Sequence, residues 1–188
     1  MDLYHIVLYL HIVTLLVAAG ATAVVKLAVG RRARARTVGE ALDWHNVLMG
    51  ASKLFPLCLV AFVLTGGYML SVTRLAWSTG FVVAGLFGVL LLLVSGVFLG
   101  TKGKALKQVL DGMAKDGENQ PAPKLVPPPF IAAMPFINTG LALGVAFDMV
   151  TKPVSVPIAL SIVVAGILLG VAIGVRRPAP SVESARAS

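Results

Sequence analysis

Charge is scarce in this chain, and so is cysteine. Only 13% of its 188 residues are Asp, Glu, Lys or Arg, against 57% that are hydrophobic, and the mean hydropathy is +0.91. That balance excludes a soluble globular domain, in which roughly a quarter of the residues are charged. The single cysteine, Cys58, excludes an intrachain disulfide and any Cys-based zinc or iron–sulfur site. Set in an apolar run, it reads as a small packing residue. The net charge of +8 does not point to nucleic acid, because the basic residues cluster beside apolar runs, where orientation signals lie. A nucleotide-binding loop, a Ser/His/Asp arrangement and a pair of facing carboxylates are all missing. The loops are also too short to house a soluble catalytic domain, so the chain reads as non-catalytic.

What it has in abundance is long apolar sequence. About 20 apolar residues cross the hydrocarbon of a bilayer as a helix, and five segments qualify: about 3–29, 54–72, 80–100, 131–150 and 154–175. The expected fold is all-α, a single polytopic transmembrane helical bundle over residues 1–175 with a disordered tail at 176–188. Only "TKP" at 151–153 divides the last two segments. They form either a tight hairpin of two spans or, with Pro153 and Pro157 as kinks, one re-entrant element. The start of the chain carries Asp2 rather than a basic stretch, and its apolar run is too long for a cleavable signal, so the first span is expected to be retained.

Five spans put the two ends on opposite sides, and the basic residues then sort by side. Arg31, Arg32, Arg34, Arg36 and Lys53, then Lys102, Lys104, Lys107, Lys115 and Lys124, then Arg176, Arg177 and Arg186 share one side. Arg74 and Lys152 are alone on the other, with Lys26 inside the first span. The positive-inside rule therefore puts the N-terminus outside and the C-terminus in the cytoplasm.

Between the spans, "VGEALDWHNVLMGAS" (38–52) aligns Val38, Ala41, Leu42, His45, Met49 and Ser52 on one helical stripe, with Glu40, Asp43 and Asn46 opposite. It is either an interfacial helix anchored by Trp44 or an extension of the second span kinked near Pro56. The loop from 101 opens with "TKGKALKQVLDGMAKDG" and closes with the extended, polyproline-like "QPAPKLVPPP". Its lysines suit anionic lipid headgroups, or a docking surface for a partner.

Small residues four apart make flat helix faces on which backbones approach closely. Gly96 and Gly100, Gly140 and Gly144, and Gly166, Gly170 and Gly174 have that spacing. They serve packing within the bundle or, on the fifth span, docking against another subunit. The intramembrane polar residues are few. His5 sits among Tyr4 and Tyr9 at an interface, and His45 caps or anchors its helix. His11, however, shares a stripe with Leu15, Ala18 and Thr22 that is expected to face the bundle. At its depth the neighbouring antiparallel spans carry Tyr68 and Met69, and Asp148 and Met149. If His11, Met69, Met149 and Asp148 converge, imidazole and thioether suit copper(I) or a haem b iron, with Met69 or Met149 as second ligand. Asp148 with His11 suits a metal or a proton path. The plainer reading is a neutral His11 hydrogen-bonded to a tyrosine or a backbone carbonyl.

"YLHIVTLLVAAG" in the first span, followed by a basic loop, "FPLCLVAFVLTGGYML" and "AWSTGFVVAGLFGVLLLLVSG", resembles a bacterial integral-membrane family whose first helix carries a Leu-His pair followed by small residues. More loosely it is similar to the membrane domain of copper resistance protein D. The resemblance covers roughly residues 3–110. It implies a bacterial inner-membrane bundle in which His11 matches the family histidine, and its copper-linked relatives imply metal or haem handling. The leading expectation is an accessory or assembly subunit of a larger membrane complex. A small haem- or copper-binding protein centred on His11 is the first alternative, and a transporter or proton-conducting bundle the second.

Overall fold

The computed structural model describes residues 2–124 and 128–175; the expected tail at 176–188 lies outside them. The described residues form six helices: α1 (Leu3–Arg32), α2 (Val38–Ser52), α3 (Leu54–Thr73), α4 (Gly80–Asp116), α5 (Pro129–Thr151) and α6 (Val156–Val175). Five rods are long and apolar enough to cross a membrane, because α2 and α3 run on as one. Their surface suits a hydrocarbon solvent. Large apolar side chains such as Leu16, Leu57, Leu64 and Leu168 point outward, while the core cluster is Ala84, Leu141, Ala159 and Val163. With lipid as apolar as leucine, small residues inside let the helices close, and that contact is what packs them.

Local chemistry sets the helix boundaries. Thr37 caps α2 by accepting from the Glu40 amide at 3.2 Å, and Glu40 Oε2 accepts from the Arg36 amide at 2.9 Å, a capping box displaced by one residue from the N-cap amide. Lys53 stays in the right-handed helical region between α2 and α3. Pro56, three residues on, cannot donate to the Ser52 carbonyl, which accounts for the break there. The 38–52 segment therefore extends the second span. This rod of 36 residues is about 54 Å long at 1.5 Å per residue, and the apolar α3 is the part suited to crossing a membrane. Its other half, α2, carries Glu40, Asp43 and Asn46.

Two expected boundaries differ in the structure. Rather than ending near Gly100, α4 continues to Asp116, so the lysine-rich stretch is helix and not loop. Between α5 and α6, Lys152 takes a left-handed conformation with φ 50° and its amide donates to the Asp148 carbonyl at 2.7 Å. The chain then turns before α6, giving two separate rods and not one kinked element. That turn is tied to α4: the Gly80 and Phe81 amides, orphaned at a helix start, donate to the carbonyls of Val154 and Pro153 at 2.8 and 3.0 Å. A Cβ on Gly80 would lie 2.6 Å from the Ser155 backbone.

The rods sort into two units. In one, α1 packs antiparallel along the whole α2–α3 rod; in the other, α4, α5 and α6 pack together, with α5 against α6 the most extensive pairing. Within the membrane the units touch only sparsely, and their main junction is α2 against the far half of α4. The α5/α6 seam is made of glycine. Gly140 and Gly166 meet backbone to backbone, a Cβ on Gly144 would sit 3.1 Å from Val163 Cα, and one on Gly170 would sit 2.5 Å from the Phe136 carbonyl oxygen. Gly174 closes on Ala133 in the same way. Gly96 and Gly100, by contrast, have open space where a Cβ would go, so among the described residues nothing packs closely on those two glycines.

Overpacking a closed seam costs about 1–3 kcal/mol. Gly170→Ala or Gly144→Ala is therefore expected to lower the unfolding temperature in detergent, whereas Gly96→Ala leaves it unchanged. Equal effects at both kinds of position would contradict the seam.

Candidate functional site

Three polar side chains stand out from their apolar surroundings. Most hydroxyls of the spans are spent on their own helix: Thr14, Thr22, Ser95 and Thr139 each donate to a carbonyl one turn back. His11, Asp148 and His45 are different.

His11 is half-buried against α3. Its Nδ1 lies 2.8 Å from Thr65 Oγ1, which lies 2.6 Å from the Ala61 carbonyl oxygen. The carbonyl can only accept, so the Thr65 proton goes there and the hydroxyl accepts from His11 Nδ1–H. That leaves Nε2 as an unprotonated lone pair. Phe62 holds the ring edge-on at 5.1 Å between centroids, and Gly66 leaves room beside Cε1. Neither a tyrosine nor a backbone carbonyl is the direct partner; a threonine on the next span is.

The four residues expected to converge do not. Met69 is one turn along α3 from Thr65, on the His11 unit. Met149 reaches over Gly85 of α4, on the other unit, and α3 and α5 make no contact. Asp148 is fully buried, and neither carboxylate oxygen has a hydrogen-bond partner among the described residues. It follows Gly144 by one turn of α5, in the glycine seam. Among the described residues, no group of three or more His, Cys, Asp or Glu is placed to hold a metal ion.

The third group, His45, is the one the sequence undervalued. It is wholly buried at the junction of α1, α2 and α4, alongside Val38, Ala41 and Leu110. Arg32 Nη1 of α1 lies 2.8 Å from its Nδ1, and the Gly103 carbonyl of α4 lies 3.0 Å from its Nε2. A guanidinium only donates and a carbonyl only accepts, so the assignment is forced: His45 accepts at Nδ1 and donates from Nε2. The ring is neutral and ties three helices. Burial depresses its pKa below the ordinary 6.5, and the neighbouring Arg32 charge adds to the shift. The clasp is widened by backbone: the Val38 and Gly39 amides donate to the Gln120 and Glu118 carbonyls at 3.0 Å, and Ala122 donates to Arg36 at 2.9 Å. A Cβ on Gly103 would come 2.9 Å from Met49 Sδ, so that side chain would have to shift.

No protein-family model, curated protein or solved structure matches this chain. Its reading therefore rests on its own residues.

His45→Ala leaves a cavity and strips Arg32 and Gly103 of their partner, which costs about 1–3 kcal/mol. The pH dependence has a definite sign. A histidine whose folded pKa is depressed contributes stability that is complete above the unfolded value of about 6.5 and is lost as pH falls through the folded value. Thermal unfolding of the wild type should therefore weaken on acidification, and less so in His45→Gln. A pH-independent difference between the two proteins would contradict a neutral, buried His45.

Proposed function

We propose that the chain is a non-catalytic subunit of a larger complex in the bacterial inner membrane, with its N-terminus outside and its basic end in the cytoplasm. One observation carries this reading: α4 extends as a continuous helix well past the length a bilayer needs, and α2 clasps the extension. At 37 residues it is about 55 Å long, against a hydrocarbon core of about 30 Å. Such an ordered rod, bearing exposed Lys102, Lys104 and Lys115, is a preformed basic platform at the membrane surface. Anionic headgroups hold its rim, and an acidic face of a partner subunit is its target. The thirteen-to-two distribution of basic residues supports the orientation.

In mild-detergent extracts of native membranes the protein should migrate in native gels well above its own 19.6 kDa. Lys104→Glu with Lys115→Glu should release it as the free subunit, with its thermal stability unchanged. A wild type that migrates alone would contradict the proposal.

A second reading has its own support. His11 Nδ1–H is spent on Thr65, a partner of the kind that fixes a ligating imidazole, and this leaves Nε2 free for a haem b iron or copper. Met69, one turn from Thr65 along α3, is a thioether on that unit. The dithionite-reduced minus oxidised spectrum and the copper content of the purified protein test it. Haem bands, or bound copper, lost in His11→Ala would support it; a flat spectrum with no copper would remove it.

A further inference from the structure

We propose that the Arg32–His45–Gly103 junction is a proton-sensitive latch: a proton taken up by His45 releases α2 from the extension of α4 and lets the two helix units part at the basic end. Hydrogen-bond polarity makes the junction sensitive to a proton. Neutral His45 serves both neighbours because Nδ1 accepts from Arg32 and Nε2 donates to Gly103. A proton added at Nδ1 turns acceptor into donor. Two N–H groups then face each other across what is 2.8 Å in the closed state, and two positive charges share a site with no exposed surface on the ring.

The surrounding charges do not absorb that change. From α1 the facing cation is Arg32. From α4 come Lys107 and Asp111, which already pair with each other at 3.1 Å. On α2 itself Glu40 is turned to the Arg36 amide and Asp43 is exposed; Glu118, in the segment after α4, is exposed too, and α3 carries no charged side chain. Among the described residues no carboxylate lies within ion-pair distance of His45, and relief comes from moving away from Arg32.

Position makes this local event consequential. Because the α1/α3 and α4–α6 units touch only sparsely within the membrane, the α2/α4 junction is their main bond. The latch goes beyond the subunit reading and does not depend on it, since it follows from the junction alone.

Spin labels at Val47→Cys on α2 and Val109→Cys on α4, both exposed positions, report the α2–α4 distance in the full-length protein. From about pH 8 to about pH 5, across the usual histidine range, the distance should lengthen and its distribution broaden. His45→Gln should show no acid response, and Arg32→Gln, which keeps a donor but removes the charge, a weaker one. Nitrogen-15 histidine spectra of the wild type should show His45 as the Nε2–H tautomer at neutral pH, losing that signal over the range in which the distance changes. A wild-type distance unchanged down to about pH 5, or an Nδ1–H tautomer at neutral pH, overturns the proposal whatever the variants do.

Discussion

A single imidazole holds the basic end of this molecule together. His45 is the point at which α1, α2 and α4 are bonded by side chains, and it is wholly buried. A buried polar ring is worth its desolvation only when both nitrogens are satisfied. Here both are, by groups of fixed polarity, and so the helices can meet in only one rotational setting. The amides of Val38 and Gly39 then find the carbonyls of Gln120 and Glu118, and the loop after α4 is drawn back along the start of α2.

The other unit is held by different physics. Its α5/α6 seam relies on close backbone approach at Gly140, Gly144, Gly166 and Gly170, where dispersion and the absence of side chains replace any polar bond. Asp148 lies one turn beyond Gly144 in this seam, its buried carboxylate without a hydrogen-bond partner among the described residues. The molecule thus combines a close-packed glycine seam in one unit with a polar clasp between units. The clasp lies beside the exposed lysines of α4, so the same contacts that order this helix also shape its lysine face.

The spans were legible because hydropathy is a local property: twenty apolar residues report a crossing whatever they pack against. The extension of α4 was obscured by its lysines, although Leu106, Val109, Leu110 and Met113 keep a helical period through it. The stripe of Val38, Ala41 and His45 was readable and is buried as a face. The role of His45 was not, because its partners lie 13 residues before it and 58 after it and are brought near by packing alone. Spacing likewise could not separate Gly96 and Gly100 from Gly140 and Gly144; rotation of α4 turns the first pair away from every neighbour. The helix face of His11 is readable from its spacing, while the antiparallel register with α3 decides that Thr65 meets it.

The central claim is that α4 remains an ordered rod beyond the membrane because α2 clasps it through His45. Hydrogen–deuterium exchange of the full-length protein in detergent tests this most directly. Amides of residues 103–114 should exchange as slowly as those of α2, and both segments should lose protection together in His45→Ala while α5 and α6 keep theirs. Rapid exchange across 103–114 in the wild type, or protection there that survives the loss of His45, would contradict it.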